Sequence, residues 1–210
     1  MTDAEVWASV ADERVALADL LEGVAPEAWE TPSRCEGWTV KDVVAHLVFL
    51  AEGTVSSVFL TSLRTHPLPS RALAEVARRS AASTPTDELV DRLRRAAAGR
   101  FVVPGLPPTV ALGEVLVHRA DLAAAAGLPP HAADERLAAV LEAEQRLWFA
   151  FGVTRQVRRL RFEPTDADWS VGPDGGPAVV GPGEDLLLVA TGRDVDPGAV
   201  SGPGLAVLGR

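Results

Sequence analysis

The strongest constraint on this chain is that apolar residues recur at helical spacing through residue 152, in segments separated by Pro and Gly. Val6, Val10, Leu17, Leu20 and Leu21 define a first helix over Thr2–Val24, with Thr2 or Asp3 available to cap its start. Pro26 and Pro32 break it. A second helix is expected from Val40 to about Leu63, entered through Gly37 or Thr39, with Val43, Val44, Leu47 and Leu50 on its buried side. Further helices are expected from about Arg71 to Ser80, from Thr86 to near Gly99, from Thr109 to Ala126 and from Ala133 to about Phe151. A run of amphipathic helices joined by short breaks packs most simply as a helical bundle.

The pattern changes at Gly152. Val157–Phe162 and Trp169–Val171 carry strand-like alternation, and Gly-Pro-Asp-Gly-Gly-Pro at 172–177 has the composition of a hairpin turn. Pro182–Thr191 reads as a short apolar helix with Glu184 and Asp185 in its first turn, where the helix dipole favours acids. Leu205–Leu208 reads as one more strand. The expected organisation is therefore a mainly α chain, with an antiparallel four-helix bundle over residues 1–152 and a small α+β domain over 153–210.

A net charge of −9, with 29 acids interspersed among 20 basic residues, argues against a nucleic-acid partner, because phosphate binding needs clustered positive charge. One cysteine, Cys35, rules out an intramolecular disulfide. The N-terminal residues are acidic and unlike a signal peptide, and no apolar run reaches the roughly 20 residues of a membrane span. A cytoplasmic location without a membrane partner is the expectation. Oligomeric state is not legible in these residues.

Four histidines are present. His66 and His131 sit next to prolines in expected loops and read as exposed polar residues. His46 and His118 lie inside apolar helical segments, where an imidazole needs partners for both ring nitrogens. Glu114 precedes His118 by four residues, so the two side chains share a helix face, and His46 could supply a third ligand from another helix. Two histidines and one carboxylate leave a coordination position open, as in catalytic zinc sites; nickel, iron or manganese accept the same donors. Spacing alone does not separate this chelate from a helix-surface ion pair. Asp42 stands in the same relation to His46, and with 29 acids and 4 histidines among 210 residues such pairs arise often by chance.

Two longer motifs add to the spacing. Cys35-Glu36-Gly37-Trp38-Thr39-Val40-Lys41-Asp42-Val43-Val44-Ala45-His46-Leu47 resembles the first signature of the mycothiol-dependent maleylpyruvate isomerase family, relatives of the DinB-like bundles. Glu114-Val115-Leu116-Val117-His118-Arg119-Ala120-Asp121-Leu122 is similar to its second. Phe162–Trp169 and Gly181–Arg193 resemble its small C-terminal domain more loosely.

The resemblance implies a DinB-like bundle with a divalent metal, zinc by default, held by His46, Glu114 and His118. It implies mycothiol as a thiol cosubstrate and an electrophilic or carboxylate-bearing small molecule as the second substrate. The activity would be that of an isomerase or a thiol S-transferase. Arg193 matches a family arginine that assists a substrate carboxylate, a task suited to a bidentate guanidinium; at a helix end it is also favourable with the dipole alone. Asp42 and Asp121 could orient the ligand imidazoles or serve as caps and surface charges. Cys35 and Trp38 read as packing residues first. The alternatives are a non-catalytic metal-binding or interaction bundle, which would close the metal shell with Cys35 or Asp42, and a hydrolase using zinc-bound water.

Overall fold

The computed structural model describes residues 1–54, 69–150 and 153–209. The expected extension of the second helix to Leu63, His66 and the change at Gly152 lie outside them. The chain is mainly helical and divides into two compact units, Thr2–Leu128 and Pro129–Arg210. This division follows packing, whereas the sequence boundary at 152 follows a change in local pattern. No described helix is long and apolar enough to cross a membrane.

The first unit contains α1 (Asp3–Leu21), α2 (Val40–Glu52), α3 (Pro69–Ser83), α4 (Thr86–Arg95) and α5 (Thr109–Ala126). Both α1 and α2 pack against α4 and α5, which makes a four-helix bundle with α1 and α2 on opposite corners, and α3 lies against α2. The helix starts are set locally. Thr2 and Glu5 form a capping box on α1, and Thr39 and Asp42 form another on α2. Gly127, at φ +65°, ends α5 in the left-handed conformation that lets the Leu128 N–H reach Ala123 O at 2.9 Å. Leu17, Val43, Val44, Leu47, Leu89 and Leu93 anchor the core.

Two contacts were not foreseen. Arg14 is buried on α1, and its Nη1 donates to the carbonyls of Ala97 (3.1 Å) and Gly99 (2.7 Å), the open C-terminal end of α4. Burial lowers its pKa to about 10, so the group stays charged at neutral pH. Gly99 itself sits so close to α2 that a Cβ would fall 1.9 Å from Ala51 O.

The second unit contains α6 (Glu135–Arg146), β1 (Arg161–Pro164), β2 (Ala178–Gly181), α7 (Gly183–Ala190) and α8 (Gly204–Leu208). Asp134 caps α6 by accepting from the N–H groups of Arg136 and Leu137. β1 and β2 are parallel, with Phe162 opposite Val179. Phe162 and Val171, from the two segments expected as strands, meet in one antiparallel bridge. The 172–177 turn, however, carries the chain across β1 to its other edge. Residues 155–159 form a 3-10 turn where a strand was expected, and Leu205–Leu208 is helical. Pro203 before α8 and Gly209 at φ +78° after it are helix punctuation, and a short apolar run has no periodicity of its own to oppose them.

Gly99→Ala is expected to destabilise the first unit by about 3 kcal/mol, because the neighbouring atom is backbone and cannot turn aside. Urea unfolding followed by circular dichroism measures it.

Candidate metal centre

α2 and α5 are neighbours in the bundle, and their inward faces bring together His46, Glu114 and His118. One donor atom from each lies within 4.8 Å of the others. Glu114 Oε2 is the common point, 3.2 Å from His46 Nε2 and 3.4 Å from His118 Nε2. Both histidines are buried, while the Glu114 side chain keeps 34% of its surface exposed, so one side of the cluster faces solvent.

The two imidazoles are held differently. His118 Nδ1 donates to Asp121 Oδ2 at 2.9 Å, and the Asp121 side chain is completely buried. A carboxylate at that nitrogen fixes a proton there, so Nε2, on the Glu114 side, is the nitrogen that would give up its proton to a metal. His46 Nδ1 is buried with no hydrogen-bond partner. Its ring is held by packing instead. The Trp38 ring lies edge-on to His46 at 5.2 Å and stacks on His118 at 6.3 Å, and the two imidazoles meet edge-to-face at 4.9 Å.

Of the two aspartates in the motifs, one orients an imidazole and one does not. Asp42 Oδ2 accepts from the Thr39 N–H and hydroxyl, both at 3.0 Å, so this carboxylate is occupied at the start of α2. Cys35 lies with His118 and Asp121, one donor atom from each within 4.8 Å. Its loop is tied to α5 through the Arg34 N–H, which donates to Asp121 O at 3.1 Å. Cys35 and Trp38 both pack on the core cluster, as expected of them, but Trp38 also forms a wall of the site. His131 is half-buried, and its N–H donates to Glu184 Oε2 at 2.8 Å. Arg193 follows α7 in the second unit, with Nη1 donating to Thr191 O at 3.1 Å.

Charge at the cluster is tightly arranged. Burial pushes the Glu114 carboxyl upward, but hydrogen bonds from His118 and His46 outweigh it and hold the group well below the ordinary carboxylate range. Burial disfavours a charged His118, yet Asp121 and Glu114 together raise its pKa to about 9. Burial lowers that of His46 despite Glu114. Near neutral pH, without a bound cation, the cluster holds one imidazolium between two carboxylates beside a neutral imidazole. A positive charge already sits where a metal ion would place one.

A helical bundle with two histidines and a carboxylate converging between adjacent helices is the class that fold and site define. The profile of the mycothiol maleylpyruvate isomerase N-terminal domain matches residues 10–123, more than half of the chain, and the chain belongs to this family. A crystal structure of the mycothiol-dependent maleylpyruvate isomerase matches with a TM-score of 0.60 at 18% identity, covering 96% of this chain and 93% of that one. The crystal structure of a histidine-to-alanine mutant of that isomerase matches with a TM-score of 0.61, also at 18% identity and the same coverage. At this identity the likeness establishes the fold. No curated protein matches the chain.

The raised His118 pKa has a consequence for stability without metal. Its contribution is fully present below pH 6.5 and is lost as pH rises towards 9, whereas that of Glu114 is lost as pH falls below 4.5. The melting temperature of chelator-stripped protein is therefore expected to fall between pH 6.5 and 9, and His118→Gln should remove this slope. Scanning calorimetry across that range checks both.

Proposed function

We propose that the chain is a metal-dependent enzyme that uses a low-molecular-weight thiol, mycothiol, as its nucleophile, either as a maleylpyruvate isomerase-like enzyme or as a thiol S-transferase. The observation that carries this reading is the convergence of His46 Nε2, His118 Nε2 and Glu114 Oε2 from two helices. Two imidazoles and one carboxylate are the donor set of an open divalent site, zinc by default. A cytoplasmic location accompanies the reading.

His46, Glu114 and His118 would hold the metal, which when bound supplies a Lewis acid that favours the thiolate form of a coordinated thiol. The rest belongs to the protein. Asp121 keeps the proton of His118 on Nδ1 and so keeps Nε2 available. Trp38 covers the two imidazoles and limits water on their apolar side. Glu114 contributes the negative charge that offsets the cation. Arg193 is assigned the carboxylate of the second substrate, in keeping with the planar fork of a guanidinium.

The non-catalytic alternative asks for a fourth protein ligand. Asp42 is committed to the cap of α2, and Cys35 groups with His118 and Asp121 rather than with His46 and Glu114. The hydrolase alternative asks for a carboxylate free to act as base beside the metal. In the described cluster Glu114 is already bonded to both histidines. Both arguments favour the thiol-dependent reading.

Protein purified without chelator is expected to contain about one equivalent of metal, lost in His46→Ala, His118→Ala and Glu114→Gln variants. The loaded protein should consume mycothiol with an electrophile, or isomerise maleylpyruvate only when mycothiol is present. A wild type that stays metal-free after dialysis against zinc overturns the reading. Asp121→Asn, which keeps the shape but loses the obligatory acceptor, should weaken metal affinity by about 10–100-fold in a competition titration with a chromophoric chelator.

A further inference from the structure

The chain is acidic overall, with a net charge of −9, yet four of its arginines fall within seven positions: Arg155, Arg158, Arg159 and Arg161. The structure divides them. Arg161 is engaged internally: Nε donates to Glu163 Oε1 and Nη1 to Asp174 Oδ1, both at 2.9 Å, and Nη2 donates to the Ser170 hydroxyl. Arg155, Arg158 and Arg159 are exposed on the 155–159 turn and form no ion pair with any described residue. Three like charges on so short a turn repel one another, and a bound anion would relieve that repulsion.

The backbone beneath these side chains is fixed. Val157 and Leu160 are completely buried, and the Gln145 amide on α6 donates to both of their carbonyls, at 3.1 and 2.8 Å. The Thr154 hydroxyl accepts from the Gln156 N–H at the start of the turn, and α8 packs against it. Gly172 approaches so closely that a Cβ there would lie 2.1 Å from Leu160 O. With Val157 turned inward, Arg155, Gln156, Arg158 and Arg159 border one depression of about 520 Å³. Neither a carboxylate nor an apolar side chain lines it.

We propose that this depression binds a compact, multiply charged phosphate ester, at a site built wholly from second-unit residues and sharing none with the histidine cluster. Guanidinium groups favour phosphate oxygens, which accept paired N–H bonds from each fork. Gln156 adds an amide that can donate to an oxygen or accept from a hydroxyl. The all-polar lining offers nothing to an apolar ligand. Length narrows the class further. A five-residue 3-10 turn spans only about 10 Å, at roughly 2 Å per residue, so its charges cannot follow a polymer backbone across many phosphates. That span suits two phosphates carried on one small molecule, such as a sugar bisphosphate.

The test is a calorimetric titration of full-length, metal-loaded protein with fructose 1,6-bisphosphate. The wild type should bind it saturably at low ionic strength, with an affinity that falls as salt is added. R158Q should weaken binding about 10-fold, and the triple change R155Q/R158Q/R159Q at least about 100-fold. Metal content and the ligand-free melting temperature should hold, since none of the three side chains is buried. The single changes R155Q and R159Q guard against failure of the triple variant to fold. His46→Ala should bind as the wild type does, which separates this site from phosphate coordinated at the metal. Absence of binding to the wild type, binding unchanged in every arginine variant, or binding lost in His46→Ala overturns the proposal. So does displacement of the ester by single-stranded oligonucleotides whose affinity rises with their length, the mark of a nucleic-acid surface.

Discussion

Glu114 Oε2 joins two helices that are far apart in sequence. From this one oxygen the contacts run to His46 on α2 and to His118 on its own helix, and beyond His118 to Asp121. Each group limits the next. Asp121 holds a proton on His118 Nδ1, and hydrogen bonds from His118 and His46 keep Glu114 anionic. Glu114 in turn faces His46, the member whose second nitrogen meets no polar group. The cluster is therefore asymmetric, with one imidazole set by hydrogen bonding and the other by the shape of the Trp38 pocket.

The bundle places these groups by economical means. The α2 start is fixed by Thr39 and Asp42, which sets the register of His46 within the helix. The α5 end is fixed by Gly127, which lets Asp121 stay helical and buried three residues past His118. Between them the Ser33–Trp38 loop is held at both ends. Ser33 N–H donates to Trp38 O at 2.8 Å and Arg34 N–H to Asp121 O, so the loop that delivers the indole is fastened to the helix that delivers the imidazole.

Much of this was legible in the residues. The apolar spacing located α1, α2, α4 and α5, and the two motifs selected His46, Glu114 and His118 from a background where acid–histidine pairs are common. The motif aspartates were not distinguishable in sequence, because i+3 from His118 and i−4 from His46 are both reachable on a helix; only the cap geometry showed that Asp42 was already engaged. Arg14 gave no signal either. Burial of a charged side chain depends on which carbonyls or charges a distant segment brings, and local pattern does not encode that. The errors in the second unit share a cause. Runs such as Leu205–Leu208 and Val157–Phe162 are too short for periodicity to decide between helix and strand, so flanking Pro and Gly and the partner strand decide instead.

The corner arrangement of α1 and α2 has a bearing on how the protein is made. His46 and Glu114 are separated by 68 positions, and α1 makes its helix contacts with α4 and α5 rather than with the helix that follows it. A chain emerging from the ribosome therefore carries α1 and α2 before either has its full set of neighbours. The ring is completed by α5. Early collapse must rely on apolar surface alone, with His46 a solitary imidazole on an unfinished helix. The grouping of His46 with Glu114 and His118 therefore exists only in the completed bundle.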